Sequence, residues 1–166
     1  MRGPSARTSA LAAATLCVVV GVGVVRATVV EPVRIDSSSM SPTLRAGDVV
    51  LVSRHAPDPG SLRRGDLVVF AMPGDGTRAI KRVVGLPGES VVVLDGVLHV
   101  DGLAVPEAYV DPRWVDGSYT RTFEVPDDAV LVMGDNRANS IDSRDYGPVP
   151  ADDLLGEVLV RIWPVS

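Results

Sequence analysis

The chain has 166 residues, 46% of them apolar but only 4% aromatic, with a formal net charge of −5. That charge, without an arginine-rich face carrying interleaved aromatics, argues against a nucleic-acid partner. A single cysteine, Cys17, rules out an intrachain disulfide and a cysteine metal cluster.

The first eight residues, MRGPSART, carry Arg2, Arg7 and the amino group, and the chain then runs from Ala10 to Val25 without a charge. A bilayer core takes about 20 residues of apolar helix. The stretch from Ser9 to Val30 reaches that length if Arg26 snorkels to the interface. We therefore expect a cytoplasmic tail over 1–8, one transmembrane signal anchor over 9–30, and an extracytoplasmic domain over 31–166. The competing reading is a cleaved secretory signal peptide. Val25, Arg26 and Ala27 make a poor small-residue cleavage site, and Val29 and Val30 extend the apolar run, which favours the anchor.

Next comes IDSSSMSPTL, residues 35–44. A polar turn would explain its serines and proline. Extended geometry suggests something further, because Ser37 and Ser39 would share a face while Ser38 points away. One hydroxyl could then attack a carbonyl while the other donates to the developing oxyanion. Such a serine needs a base to take its proton. The candidates are His55, His99 and a lysine further along.

Beyond residue 47, short apolar runs alternate with turns rich in Gly, Pro and Asp. DVVLVS (48–53), DLVVFA (66–71), IKRVVG (80–85), SVVVL (90–94), VLHV (97–100), AVLVMG (129–134) and EVLVRIW (157–163) read as strands. LDGVLHVDG places one of them between two Asp-Gly turns. No stretch outside the anchor keeps helical periodicity over three turns, so the fold class is all-β with antiparallel sheets. Lys81, within RAIKRVVG, is the only lysine beside fifteen arginines. An arginine stays protonated, whereas a buried lysine can lose its proton and act as a base. Ile80, Val83 and Val84 could supply that burial. Neither histidine sits in a segment suited to positioning it or has a partner at ligand spacing, so no metal and no cofactor is expected.

The last cluster, VMGDNRANSIDSRDYGPVP (132–150), follows an apolar strand directly. Gly134, Asp135, Asn136 and Asn139 suit a solvated loop. Asp142 and Arg144 could instead form a bidentate clamp, and the Ser140 hydroxyl could orient an amine.

Taken in order, SSSMSPTL (37–44), GDVVLV (47–52), RGDLVVF (64–70) with IKRVVGLPGE (80–89), and GDNRANSIDSRDYGPV (134–149) resemble the boxes of bacterial type I signal peptidase. That family consists of membrane-anchored serine endopeptidases that remove signal peptides from exported pre-proteins. The resemblance implies that Ser39 attacks the scissile bond and forms an acyl-enzyme, and that Lys81 is the general base. It implies an oxyanion hole from the Ser39 amide and the Ser37 hydroxyl, Ser140 orienting the Lys81 amine, and Asp142 with Arg144 as structural support. The implied fold is a partly open barrel or sandwich of antiparallel sheets behind one transmembrane helix, with residues 31–166 as the catalytic domain. The implied partners are signal peptides with small residues at positions −1 and −3, and the lipid bilayer, with a monomer favoured. Ile35 and the strand around Val83 would line shallow apolar pockets. The chain departs from larger members in a short stretch between the lysine box and the last box, and in having a single anchor. Two other readings are a self-cleaving repressor-like protease with the same dyad and a non-enzymatic, membrane-tethered peptide-binding β-domain. The repressor type carries a DNA-binding domain ahead of the protease, for which the apolar segment here is too short.

Overall fold

Alternation of inward and outward valines builds two antiparallel sheets. The computed structural model describes residue 15 and residues 29–115 and 119–164. The expected anchor over 9–30 therefore lies almost wholly outside the described residues, as does Cys17; Val29 belongs to a turn and Val30 opens the first strand. Among the described residues, no helix is long and apolar enough to cross a membrane.

The strands are β1 (Val30–Arg34), β2 (Val49–Ser53), β3 (Leu67–Ala71), β4 (Arg78–Gly85), β5 (Ser90–Leu94), β6 (Val97–Val100), β7 (Leu103–Ala104), β8 (Tyr119–Glu124), β9 (Ala129–Met133), β10 (Val149–Pro150) and β11 (Leu154–Trp163). One four-residue helix, α1 (Ser143–Tyr146), joins β9 to β10. The larger sheet runs in the order β1-β2-β11-β3-β4-β9-β10 and the smaller in the order β7-β6-β5-β8. Among the described residues the expected antiparallel sheets are what is found. Each of the seven runs read as strands forms one, and both turns of LDGVLHVDG carry their aspartate at positive φ, 49° at Asp95 and 50° at Asp101.

Four strands escape the sequence pattern. β1 follows the apolar run without a break, and β7 and β10 span two residues each. β8 is mostly polar, with Phe123 as its contribution to the core.

β9 shows how the two sheets share a core. Its residues Leu131 and Met133 pack with Val91, Val93, Leu98 and Phe123 of the small sheet. Val130 and Val132, on the other face, pack with Val68, Phe70 and Val83. That two-sided burial leaves all five β9 residues enclosed. A third cluster, with Ile35, Met40, Leu44, Val50, Val52 and Val69, lies beneath the serine run.

β11 pairs first with β3 and then with β2, shifting register between Leu154 and Gly156 and again between Val158 and Val160. At the handover Gly156 passes so close to β2 that a Cβ would lie 2.1 Å from the Ser53 carbonyl oxygen. Gly156→Ala should therefore destabilise the fold by about 1–3 kcal/mol. The expected result is a lower urea midpoint at an unchanged slope; an unchanged midpoint would show that β11 yields without cost.

Candidate active site

The serine run continues the ladder past β1. Ile35 N donates to the Asp48 carbonyl at 2.9 Å, and Gly47 N donates to the Ile35 carbonyl at 2.8 Å. From Ser39 the chain turns sharply, with Ser41 N donating to the Ser38 carbonyl and Leu44 N to the Met40 carbonyl. Met40, 2% exposed, plugs the third core cluster and pins the turn. Half-buried Ser39 thus stands beside a buried anchor. Its Oγ lies 3.2 Å from Ser37 Oγ, while Ser38 points elsewhere and its Oγ accepts from Asn139 Nδ2 at 2.9 Å.

β4 supplies the lysine. Arg78 to Lys81 pair with β3 on one side and, among the described residues, with no strand on the other, whereas Arg82, Val83 and Gly85 pair with β9. Where β4 and β9 part, a cleft of ≈ 490 Å³ opens, lined by Ile35, Ser37, Ser39, Ile80, Lys81 and Ser140 among others. Lys81 is 5% exposed. Burial drives its amine below the ordinary lysine pKa of 10.5; Arg144 adds to the effect, while Asp142 and Asp135 oppose it.

The 134–144 segment folds onto both. Asp142 caps α1, with its side chain accepting from Arg144 N while Asp145 accepts from Asp142 N. The Asp142 carboxylate takes both arms of Arg144, at 2.8 and 2.9 Å, together with the Gly134 amide at 3.0 Å. Arg144 also donates to the Arg137 carbonyl at 2.8 Å. Burial alone would raise the Asp142 pKa, but Arg144 and the Gly134 amide bring it below the ordinary carboxylate value. Gly134 permits the closest approach, since a Cβ there would lie 2.3 Å from Ser140 Oγ and 2.6 Å from the Ser39 carbonyl oxygen.

The structure thus brings Ser37, Ser39, Lys81 and Ser140 to one cleft, with Asp142 and Arg144 buried alongside. Among the described residues, Ser39 Oγ bonds to Ser37 Oγ and not to Lys81. The Ser140 hydroxyl makes no hydrogen bond of good geometry, although it lies close enough to Asp142 to favour the ionised carboxylate. Ile35 lines the cleft as expected, and so does the strand around Val83 through Ala79, Ile80 and Lys81, although Val83 itself does not. Past Lys81, β4 is paired on both sides, and Val83 is sealed into the core with Val68, Phe70 and Val132. His55 and His99 do not line the cleft. Among the described residues, no group of three side chains could hold a metal ion.

Several residues that hold the serine turn were missed. Thr43 donates to Asp135 at 2.5 Å, and the same carboxylate takes Arg82 Nε at 2.8 Å and Nη2 at 2.6 Å. Asn136 N donates to the Ser39 carbonyl at 3.0 Å, and its side chain donates to the Ser38 carbonyl. By residue type Asp135, Asn136 and Asn139 suit a loop, and the sequence signal that marks them is their place in the same run as Asp142.

Residues 8–163 match the family model described as signal peptidase, peptidase S26. A probable signal peptidase I-2 of Synechocystis is 40% identical over 157 residues, covering 89% of this chain and 69% of that protein. Signal peptidase I of Bacillus caldolyticus is 35% identical over 142 residues, or 78% of each chain. A crystal structure of a signal peptidase I from Enterococcus faecalis superposes with a TM-score of 0.50 at 33% identity, covering 60% of this chain and 97% of that one.

A buried amine whose pKa falls on folding opposes folding below its unfolded pKa, and the opposition fades as pH rises toward 10.5. Lys81→Met should therefore be more stable than wild type at pH 7, with the gap closing toward pH 10. Thermal midpoints across that range test it, and a midpoint lowered at pH 7 would contradict it.

Proposed function

This chain belongs to the signal peptidase family, peptidase S26, and is a peptidase; from that premise we propose that it removes amino-terminal signal peptides from exported pre-proteins through a Ser39–Lys81 dyad. Ser39 Oγ attacks the scissile carbonyl as the neutral Lys81 amine takes its proton. The leaving amine departs with a proton from Lys81, and water activated by Lys81 then hydrolyses the acyl-enzyme. The Ser39 amide and the Ser37 hydroxyl stabilise the oxyanion. Ser140 orients the Lys81 amine, and the Asp142–Arg144 fork supports the site without entering the chemistry. The substrate carries small residues at positions −1 and −3. The apolar segment read as the 9–30 anchor, ending ahead of the turn at Val29 and the start of β1, holds the enzyme in the cell membrane as a single span, with the amino terminus cytoplasmic and the catalytic domain outside.

The observation that carries the proposal is a lysine 5% exposed, its pKa lowered by burial, on the same cleft as a serine backed by a second hydroxyl. Serine–lysine pairs are an established variant of nucleophile activation. Hydrogen bonds in such sites are often long before substrate arrives and tighten in the complex, which accommodates the unmade contacts of Ser39 and Ser140 with Lys81. The unpaired edge of β4 at Arg78–Lys81 gives an extended substrate backbone groups to pair with.

In a cleavage assay with an alanine-x-alanine pre-protein, Ser39→Ala and Lys81→Arg should each abolish activity while the protein stays folded. Activity retained by Lys81→Arg would sink the dyad. Because the base must be neutral, kcat/KM should fall as pH drops below the lowered pKa of Lys81; a flat profile from pH 9 to pH 5 would argue for another base.

A further inference from the structure

Successive residues of a strand face opposite ways, so Arg82 turns its side chain away from the face that carries Lys81. Its guanidinium holds Asp135 by two arms, the Gly65 carbonyl at 2.7 Å and Thr43 Oγ1 at 3.3 Å. One flat side of the guanidinium is covered by the Tyr109 ring, whose centroid lies 3.9 Å from Arg82 Cζ. The Tyr109 hydroxyl donates to Glu107 Oε1 at 2.7 Å, and the same oxygen accepts from Arg137 Nη2 at 2.5 Å. Arg137 in turn donates through Nε to the Gly134 carbonyl at 3.1 Å. The Glu107 and Arg137 side chains are only 6% and 3% exposed.

Glu107 and Tyr109 belong to the irregular stretch after β7, which connects strands of the small sheet. Connecting segments ordinarily run over the surface, and a buried carboxylate is costly unless paired. This one reaches inward to touch two residues, each next to a member of the site. Arg82 follows Lys81 directly, and Arg137 follows Asn136, whose amide holds the Ser39 carbonyl. Neither Glu107 nor Tyr109 lines the cleft.

Building on the Ser39–Lys81 dyad of the preceding section, we propose that Glu107 and Tyr109 are positioning residues: a strap from the small sheet that sets Lys81 against Ser39 by holding Arg82 and Arg137 in place. Small misplacements of reacting groups lower the chemical step with little effect on substrate binding.

The test uses the full chain in detergent with the alanine-x-alanine pre-protein, with thermal unfolding of every variant measured so that only folded protein is assayed. Tyr109→Leu should lower kcat about tenfold and leave KM within about twofold, while Tyr109→Phe, which keeps the ring over Arg82, should stay within about twofold of wild type. Glu107→Gln should lose about fivefold in kcat, again at near-constant KM. Wild-type kcat in folded Tyr109→Leu, or equal losses in Tyr109→Leu and Tyr109→Phe, would overturn the strap. Should Tyr109→Leu fail to fold, Glu107→Gln decides, and wild-type kcat there overturns it. Lys81→Arg, run alongside, separates the two proposals. An active Lys81→Arg removes the dyad and the strap together, whereas an inactive one beside an unimpaired, folded Tyr109→Leu removes the strap alone.

Discussion

The buried fork between Asp142 and Arg144 is the contact on which the rest of the site depends. It closes the 134–144 segment on itself, because the carboxylate also caps α1 and takes the Gly134 amide, while the guanidinium reaches the Arg137 carbonyl. Held in that way, the segment presents Asp135 to Thr43 and Arg82, and the Asn136 amide to the Ser39 carbonyl. Removing one partner would leave an unpaired buried charge, typically a cost of about 3–5 kcal/mol. The serine turn would then lose its backing.

The same fork has an electrostatic consequence for the lysine. A buried amine gives up its proton readily only if nearby carboxylates do not hold that proton on it. Two lie close enough to act on Lys81, and both are matched: Asp142 by Arg144, and Asp135 by Arg82. Burial then decides the direction of the shift. Fifteen arginines beside one lysine make sense in this light. Guanidinium groups, which keep their charge, form the permanent forks, and the one cation able to lose its charge stands in the cleft.

The sheets were largely legible in the sequence because short apolar runs and the turns between them are local signals. DVVLVS and AVLVMG are apolar runs of strand length, and LDGVLHVDG lies between two Asp-Gly turns with positive φ. Strands whose reason for existing is a distant partner were not legible. β8, mostly polar apart from Phe123, is held by its pairing with β5, and the two-residue β10 exists because β9 lies beside it. The same divide separates Ile35 from Val83. Both are apolar neighbours in sequence of residues that line the cleft, but pairing of β4 with β9 seals Val83 into the core.

Residue chemistry by itself determined which groups could take part: a serine run, one lysine free to lose its proton, and an aspartate and arginine two apart, ready to fork. Those are properties of side-chain type and short spacing. Tertiary structure alone decided how the groups are held. Parting of β4 from β9 creates the cleft, and the Met40 plug, Gly134 with its missing Cβ, and the reach of Glu107 and Tyr109 to Arg137 and Arg82 depend on segments far apart in the chain. No local pattern encodes such contacts, because each is set by the packing of one sheet's connections against the other.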